Sequence, residues 1–136
     1  MIREIKKGTQ IFNKKAKRAT LKDIETGQDL LDTLIAHKDE CVGMAANMIG
    51  INKAIIAISM SNVQYVMYNP RIIRKSGKYL TQEGCLSLDG MKNCMRYQEI
   101  DLEYNDANFK KVHAHFSGTI AQIIQHEIDH CNGIVI

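Results

Sequence analysis

Proline occurs once in the chain, at Pro70, and no apolar run approaches the length of a membrane span. With a single proline, no low-complexity stretch and no internal repeat, nothing marks a linker between domains. No long apolar segment follows the basic residues near the start, so a secretory signal is not expected, and the roughly 18 apolar residues of a span are missing too. The four cysteines, Cys41, Cys85, Cys94 and Cys131, make no C-x-x-C pair and are too sparse for a disulfide scaffold. Free thiols in a cytoplasmic protein are the expectation, with at least one used chemically. A net charge of +3 is too mild to argue for nucleic acid. Neither a membrane partner nor a sequence-specific nucleic-acid partner is expected. Much of the basic excess lies in the first 22 residues, from Arg3, Lys6 and Lys7 to Lys14, Lys15, Lys17, Arg18 and Lys22. It reads as a solvated face or loosely held arm, with transient contact to a polyanion such as the ribosome as the alternative.

What is present is enough for one core. A chain of 136 residues that is 45% hydrophobic can bury a modest interior but not two, so residues 1–136 are read as one domain. Ile24, Leu30, Leu31, Leu34 and Ile35 recur at helical spacing and predict a helix from Asp23 to His37. KAIIAIS (53–59) and VQYVMYN (63–69) read as a strand pair joined at Ser61-Asn62. QEIDLEY (98–104) and KVHAHFS (111–117) alternate apolar and polar residues around the turn Asn105 to Asn108. Ser117-Gly118-Thr119 then opens a second helix carrying Ile120, Ile123, Ile124 and Ile128, stopped by Asn132-Gly133. The order predicts an α+β fold, with small antiparallel sheets packed around a C-terminal helix and a further helix near the N-terminus.

The C-terminal helix contains QHEIDH (125–130). His126 and His130 are one turn apart on one face and can reach a single ion. Glu127 lies about a quarter-turn away, placed to take a proton from water activated by that ion. A hydrolytic centre usually has three protein ligands and one open position. His37, His113, His115 and several acids are candidates for the third, and QEGCLSL (82–88) is the most suggestive, because a Cys85 thiolate suits a borderline-soft cation and Gly84 permits an unusual turn before it. His113 and His115 share one face of a predicted strand, and nothing places them at the ion. Cys94 and Cys131 are expected as buried small residues, and Met44, Met48, Met91 and Met95 as flexible apolar filler.

EGCLS (83–87) and QHEIDH resemble the second and third signature motifs of the peptide deformylases, and CVGMAANM (41–48) resembles the first, G-φ-G-φ-A-A-x-Q. The resemblance covers roughly residues 30 to 134. It implies an enzyme that hydrolyses the N-formyl group from the initiator methionine of nascent polypeptides. One divalent ion is implied, Fe(II) as the native metal with zinc or nickel as substitutes, held by Cys85, His126 and His130. Glu127 is implied as general base and the Leu86 backbone N–H as a donor to the developing oxyanion. Val42, Gly43 and Met44 would form a rim for an added peptide strand, Ile123 a wall of the methionine pocket, and Arg96 the arginine near the peptide. Glu83 and Gln125 would orient ligands.

Two departures from the family pattern matter. Cys41 stands for the opening glycine of the first motif and Met48 for its closing glutamine, whose amide donates a hydrogen bond to the tetrahedral intermediate. A thioether has no N–H to give, and Asn47, one residue early, points elsewhere. Loss of one such donor typically costs about 10²- to 10³-fold in rate, which implies a slowed enzyme. The alternative is an impaired paralogue that binds metal or N-terminal peptides without efficient turnover; some other amide or acyl hydrolase on the same scaffold comes third. The prolines common in the family's N-terminal segment are absent as well. Six residues follow His130, leaving no room for the C-terminal helix with which some members engage the ribosome. The last three, Ile134 to Ile136, are expected as a short closing strand or packed tail.

Overall fold

The computed structural model of the protein describes residues 1–134. Helix α1 spans Ile24–Ala36 and helix α2 spans Gly118–Cys131. Between them lie strands β1 (Gly43–Ala45), β2 (Ile55–Met60), β3 (Val63–Gly84), β4 (Met91–Asn105) and β5 (Lys111–Ser117). All five pair antiparallel in the order β1-β2-β3-β4-β5. The expected strand pairs are therefore parts of one meandering sheet. Neither helix among the described residues is long and apolar enough to cross a membrane.

Local chemistry sets the joints. The Thr20 backbone N–H donates to the Asp23 carboxylate at 2.8 Å and the Lys22 N–H to the Thr20 hydroxyl at 3.3 Å, so the chain enters α1 through a capped 3-10 turn. Ser61 and Asn62 both adopt positive φ (49° and 65°), the conformation that matches a two-residue hairpin to the twist of its strands. The Asp106 carboxylate accepts from the N–H groups of Asn108 and Lys110 and holds the β4–β5 turn. At the end of α2, Gly133 (φ 77°) donates to the His130 carbonyl while Ile134 donates to that of Asp129, the paired bonds of a left-handed helix stop.

β3 runs far past the predicted 63–69. Pro70 brings no N–H, and the β3–β4 register slips between Tyr68 and Arg71 and again between Ile72 and Arg74. The strand nevertheless resumes and pairs through to Gly84.

β2 is buried on both faces, and the alternation of a strand sends its residues to two cores. Ile55 and Ala57 face α1 with Leu30, Leu34 and Tyr68. Ile56 and Ile58 face α2 with Ile100, Leu102, Ile124 and Ile128. The sheet thus separates the helices, and α2 is pressed against it. Close approach on the α1 side depends on Gly27: a Cβ there would fall 1.9 Å from the Tyr68 hydroxyl, which donates to the Ile24 carbonyl.

Residues 135 and 136, most of the expected closing tail, lie outside the described residues; Ile134 is exposed.

Candidate metal centre and substrate cleft

The residue that could complete the ligand set left open by the helix is Cys85, directly after β3. One ligand atom from each of Cys85, His126 and His130 can be chosen so that all lie within 4.8 Å of one another. No other group of this kind, including His37, His113 or His115, occurs among the described residues. His113 and His115 sit on the exposed face of β5, paired with Glu103 and with Asp101 and Glu99.

The donor set fits a divalent cation. His126 Nδ1 lies 2.7 Å from Glu83 Oε1 and His130 Nδ1 lies 3.1 Å from Glu127 Oε1. A carboxylate that accepts an Nδ1 proton holds its ring in place and would present Nε2 to an ion. His130 Nε2 is buried without any partner. A buried nitrogen left unsatisfied is costly, and a cation shared with Cys85 and His126 relieves that cost. Phe12 packs on the His130 ring, with centroids 4.4 Å apart. Burial alone would lower the His126 pKa, but the Cys85 sulfur and the Glu83 carboxylate raise it to about 9.

Glu83 is the hub behind the ligands. Arg96 grips it in a bidentate pair at 2.7 to 3.1 Å, and Gln122 donates to it at 2.8 Å. Burial pushes its pKa up, yet the bonds from His126, Arg96 and Gln122 outweigh this and hold it at about 2. Arg96 also donates to Asp129 at 2.7 Å. The expectation that Arg96 stands near a bound peptide is corrected here: it is 4% exposed, does not line the cleft, and is spent on the buried Glu83 and the half-buried Asp129. Gln125 orients no ligand either. Its amide pairs with both the N–H and the carbonyl of Tyr97, locking α2 to β4. Gln122 and Asp129 were not singled out from the sequence, although they sit at i−4 and i+3 from His126, the spacings at which helical neighbours meet.

A cleft of about 530 Å³ opens over these groups. Segment 40–43 forms one wall, residues 82–86 with Gly90 and Met91 the other, and Thr119, Gln122, Ile123 and His126 of α2 the floor. Val42, Gly43, Met48, Leu86, Ile123 and Glu127 therefore meet in one space. Met44 does not line it; its side chain is fully buried in the α1-side core. Gly43 makes room for Glu127, since a Cβ at 43 would come within 2.9 Å of Glu127 Oε2 and 2.7 Å of Ile123. Glu127 so keeps one oxygen on His130 and turns the other to the cleft. Met48 lines the cleft at 1% exposure, with its sulfur accepting weakly from the Ala45 N–H at 3.5 Å. Asn47 points away and donates to the His130 carbonyl at 2.8 Å. The Cys41 thiol contacts the Gly43 carbonyl, and burial with the nearby Glu127 charge pushes its pKa up to about 12.

The loop carrying Leu86 is laced to the N-terminal segment. Gly8 donates to the Ser87 carbonyl, Lys6 to the Met48 carbonyl, and the Lys7 ammonium to the Leu86 carbonyl. The prolines of the family pattern are absent, and these bonds hold the segment instead.

A family model described as polypeptide deformylase matches residues 2–136. A peptide deformylase of Clostridium beijerinckii is 45% identical over 136 residues, covering the whole of both chains. The crystal structure of a peptide deformylase from Legionella pneumophila superposes with a TM-score of 0.88 at 30% identity, over 99% of this chain and 83% of that one. A class I type b peptide deformylase from Acinetobacter baumannii, crystallised with Met-Ala-Ser bound, gives a TM-score of 0.87 at 26% identity over 99% and 96% of the two chains.

Proposed function

The chain belongs to the polypeptide deformylase family, and from that membership and the built cleft we infer how its own residues remove a formyl group from the N-terminal methionine of nascent chains. The observation that carries the reading is the grouping of Cys85, His126 and the fully buried His130, with Cys85, His126 and Glu127 lining one cleft beside the edge strand β1. Family members are metal-dependent, and we assign the three ligands to Cys85, His126 and His130, with Fe(II) as the native ion and Zn(II) or Ni(II) as substitutes. Such a cation supplies Lewis acidity, polarising the formyl carbonyl and making water a usable nucleophile at neutral pH.

The chain's own groups do the rest. The Glu127 oxygen facing the cleft takes the proton of the attacking water and later delivers it to the leaving amine. The Leu86 N–H donates to the oxygen on which charge develops. Ile123 walls the methionine side chain. β1 is an edge strand whose other side is taken by β2. The Val42 carbonyl accepts from Ser59, so antiparallel alternation turns the backbone groups of Gly43 outward, toward an added peptide strand. The Met-Ala-Ser held by the Acinetobacter protein supports such a peptide here.

The formylated ends of nascent chains are the partners, which places the protein in the cytoplasm. The exposed Lys14, Lys15, Arg18 and Lys22 would serve a transient ribosome contact. The deciding assay loads the chain anaerobically with Fe(II) and follows formate release from formyl-Met-Ala-Ser. Metal-dependent turnover that vanishes in Glu127→Gln, while metal content stays near one equivalent, supports the assignment. Full activity in Glu127→Gln would remove Glu127 from its role.

A further inference from the structure

The turn that carries Cys85 is gripped from outside by a lysine. Residues Cys85 to Leu88 close on themselves, with the Leu88 N–H donating to the Cys85 carbonyl at 3.0 Å. Inside that turn the Ser87 N–H donates to the Cys85 sulfur at 3.4 Å, and Ser87 is only 1% exposed, so water hardly competes for the bond. The other end of the same peptide unit, the Leu86 carbonyl, accepts from the Lys7 ammonium. A single peptide thus joins a positive charge to the sulfur.

The backbone on either side of Lys7 is tied down. Lys6 donates to the Met48 carbonyl and Gly8 to the Ser87 carbonyl, each at 2.8 Å. Gly8 has a φ of 92°, a conformation that a side chain disfavours, where the chain leaves this contact. Lys7 does not line the cleft, so it acts on the site through the turn and not on a substrate. The sequence placed it among the solvated basic residues near the start, and the structure gives it this separate contact. A cation on a carbonyl polarises the peptide and strengthens what its N–H donates. A hydrogen bond to a thiolate in turn draws charge from the sulfur and weakens its donation to a bound cation, which is left the stronger Lewis acid.

We propose that Lys7 is a positioning residue of the metal centre: through the Leu86–Ser87 peptide it holds a hydrogen bond on the Cys85 sulfur and so lowers the sulfur's donation to the cation. The inference rests on the assignment of Cys85 as a ligand. The test loads the full chain with Co(II), whose thiolate-to-metal charge-transfer band in the near ultraviolet reports on the sulfur, and follows the Ser87 amide proton by NMR in the Zn(II)-loaded and metal-free chain. In Lys7→Met the band moves to longer wavelength and the Ser87 proton moves upfield, while Lys7→Arg keeps both near wild type. Lys7 is exposed, so the kinetic effect is modest: in the Fe(II) form, kcat on formyl-Met-Ala-Ser falls about 3- to 10-fold in Lys7→Met at nearly constant KM, the worth of one ordinary hydrogen bond, and Lys7→Arg recovers most of it. A band and a Ser87 resonance unmoved in Lys7→Met, or moved equally in Lys7→Arg, overturn the proposal and leave the deformylase reading intact. If Lys7→Met no longer binds metal, the Ser87 resonance of the metal-free chain still decides. Absence of a thiolate band in the Co(II)-loaded wild type removes Cys85 from the ligand set and overturns both.

Discussion

Met48 puts a thioether where the family motif has an amide, and the structure gives no substitute from the same turn: Asn47 is committed to the His130 carbonyl on the far side. On the proposed mechanism, the remaining stabilisation of the developing charge would come from the Leu86 N–H and the Lewis acid. Met48→Gln therefore restores one donor and raises kcat about 10²-fold on a formyl-Met peptide with KM little changed. An unchanged kcat in a variant that binds metal normally would mean that another group already fills this place. The neighbouring departure acts on binding. The Cys41 thiol sits on the Gly43 carbonyl, a group that antiparallel alternation offers to the substrate. Cys41→Gly frees that carbonyl, and the expected outcome is a lower KM at constant kcat, measured on the same peptide.

Among the elements, α2 and the ends of β3 and β4 form one ionic unit, in which Arg96 holds Glu83, Glu83 holds His126, and Asp129 ties the helix back to Arg96. Cutting Arg96 to Met leaves two carboxylates without their cation, a change that typically costs about 3 to 5 kcal/mol. It also loosens the imidazole that Glu83 orients, so metal affinity should fall about 10- to 100-fold. Competition with a chelator measures the affinity and thermal unfolding the stability. Unaltered affinity would show that His126 is held without the network. This unit also shows what sequence patterns convey. H-E-x-x-H and E-G-C state residue types at helical and turn spacings, so His126 and His130 could be read as a pair on one face and Cys85 as one candidate to join them, a grouping the structure brings within 4.8 Å. Whether an arginine faces a peptide or a buried carboxylate depends on packing between β3, β4 and α2, and Arg96 was misread for that reason. β3 beyond Pro70 was missed on similar grounds: most of its residues from Arg71 to Leu80 are exposed, so no hydrophobic alternation marks the strand. On the other side of the sheet, Gly27 is a plain case of contact dictating sequence. Gly27→Ala drives a methyl into the Tyr68 hydroxyl, and a loss of about 1 to 3 kcal/mol is expected in denaturant unfolding; Tyr68→Phe in the same background should recover part of it.

For the whole molecule, metal occupancy and pH stability are linked through the same buried pair. In the metal-free protein, Glu83 is held at about 2 against an ordinary value of 4.5. A depressed carboxylate contributes stability that is present above pH 4.5 and lost as the pH falls toward 2. His126 is raised to about 9 from an ordinary 6.5, so its contribution is complete below pH 6.5 and lost as the pH rises through 9. The two windows overlap between pH 4.5 and 6.5, where the chelated protein should show its highest melting temperature and fall away on both sides. A bound cation changes the alkaline side only. It needs His126 deprotonated, binds the folded chain in preference to the unfolded one, and so adds stability as the pH rises from 6 to 8, where the metal-free protein is losing it. Melting curves of chelated and Zn(II)-loaded protein from pH 3 to 9 should therefore diverge above pH 6.5 and converge in acid. Glu83→Gln should flatten the acid limb of the chelated protein. Parallel curves for the two forms across the whole range would separate the cation from His126 and move the metal elsewhere in the fold.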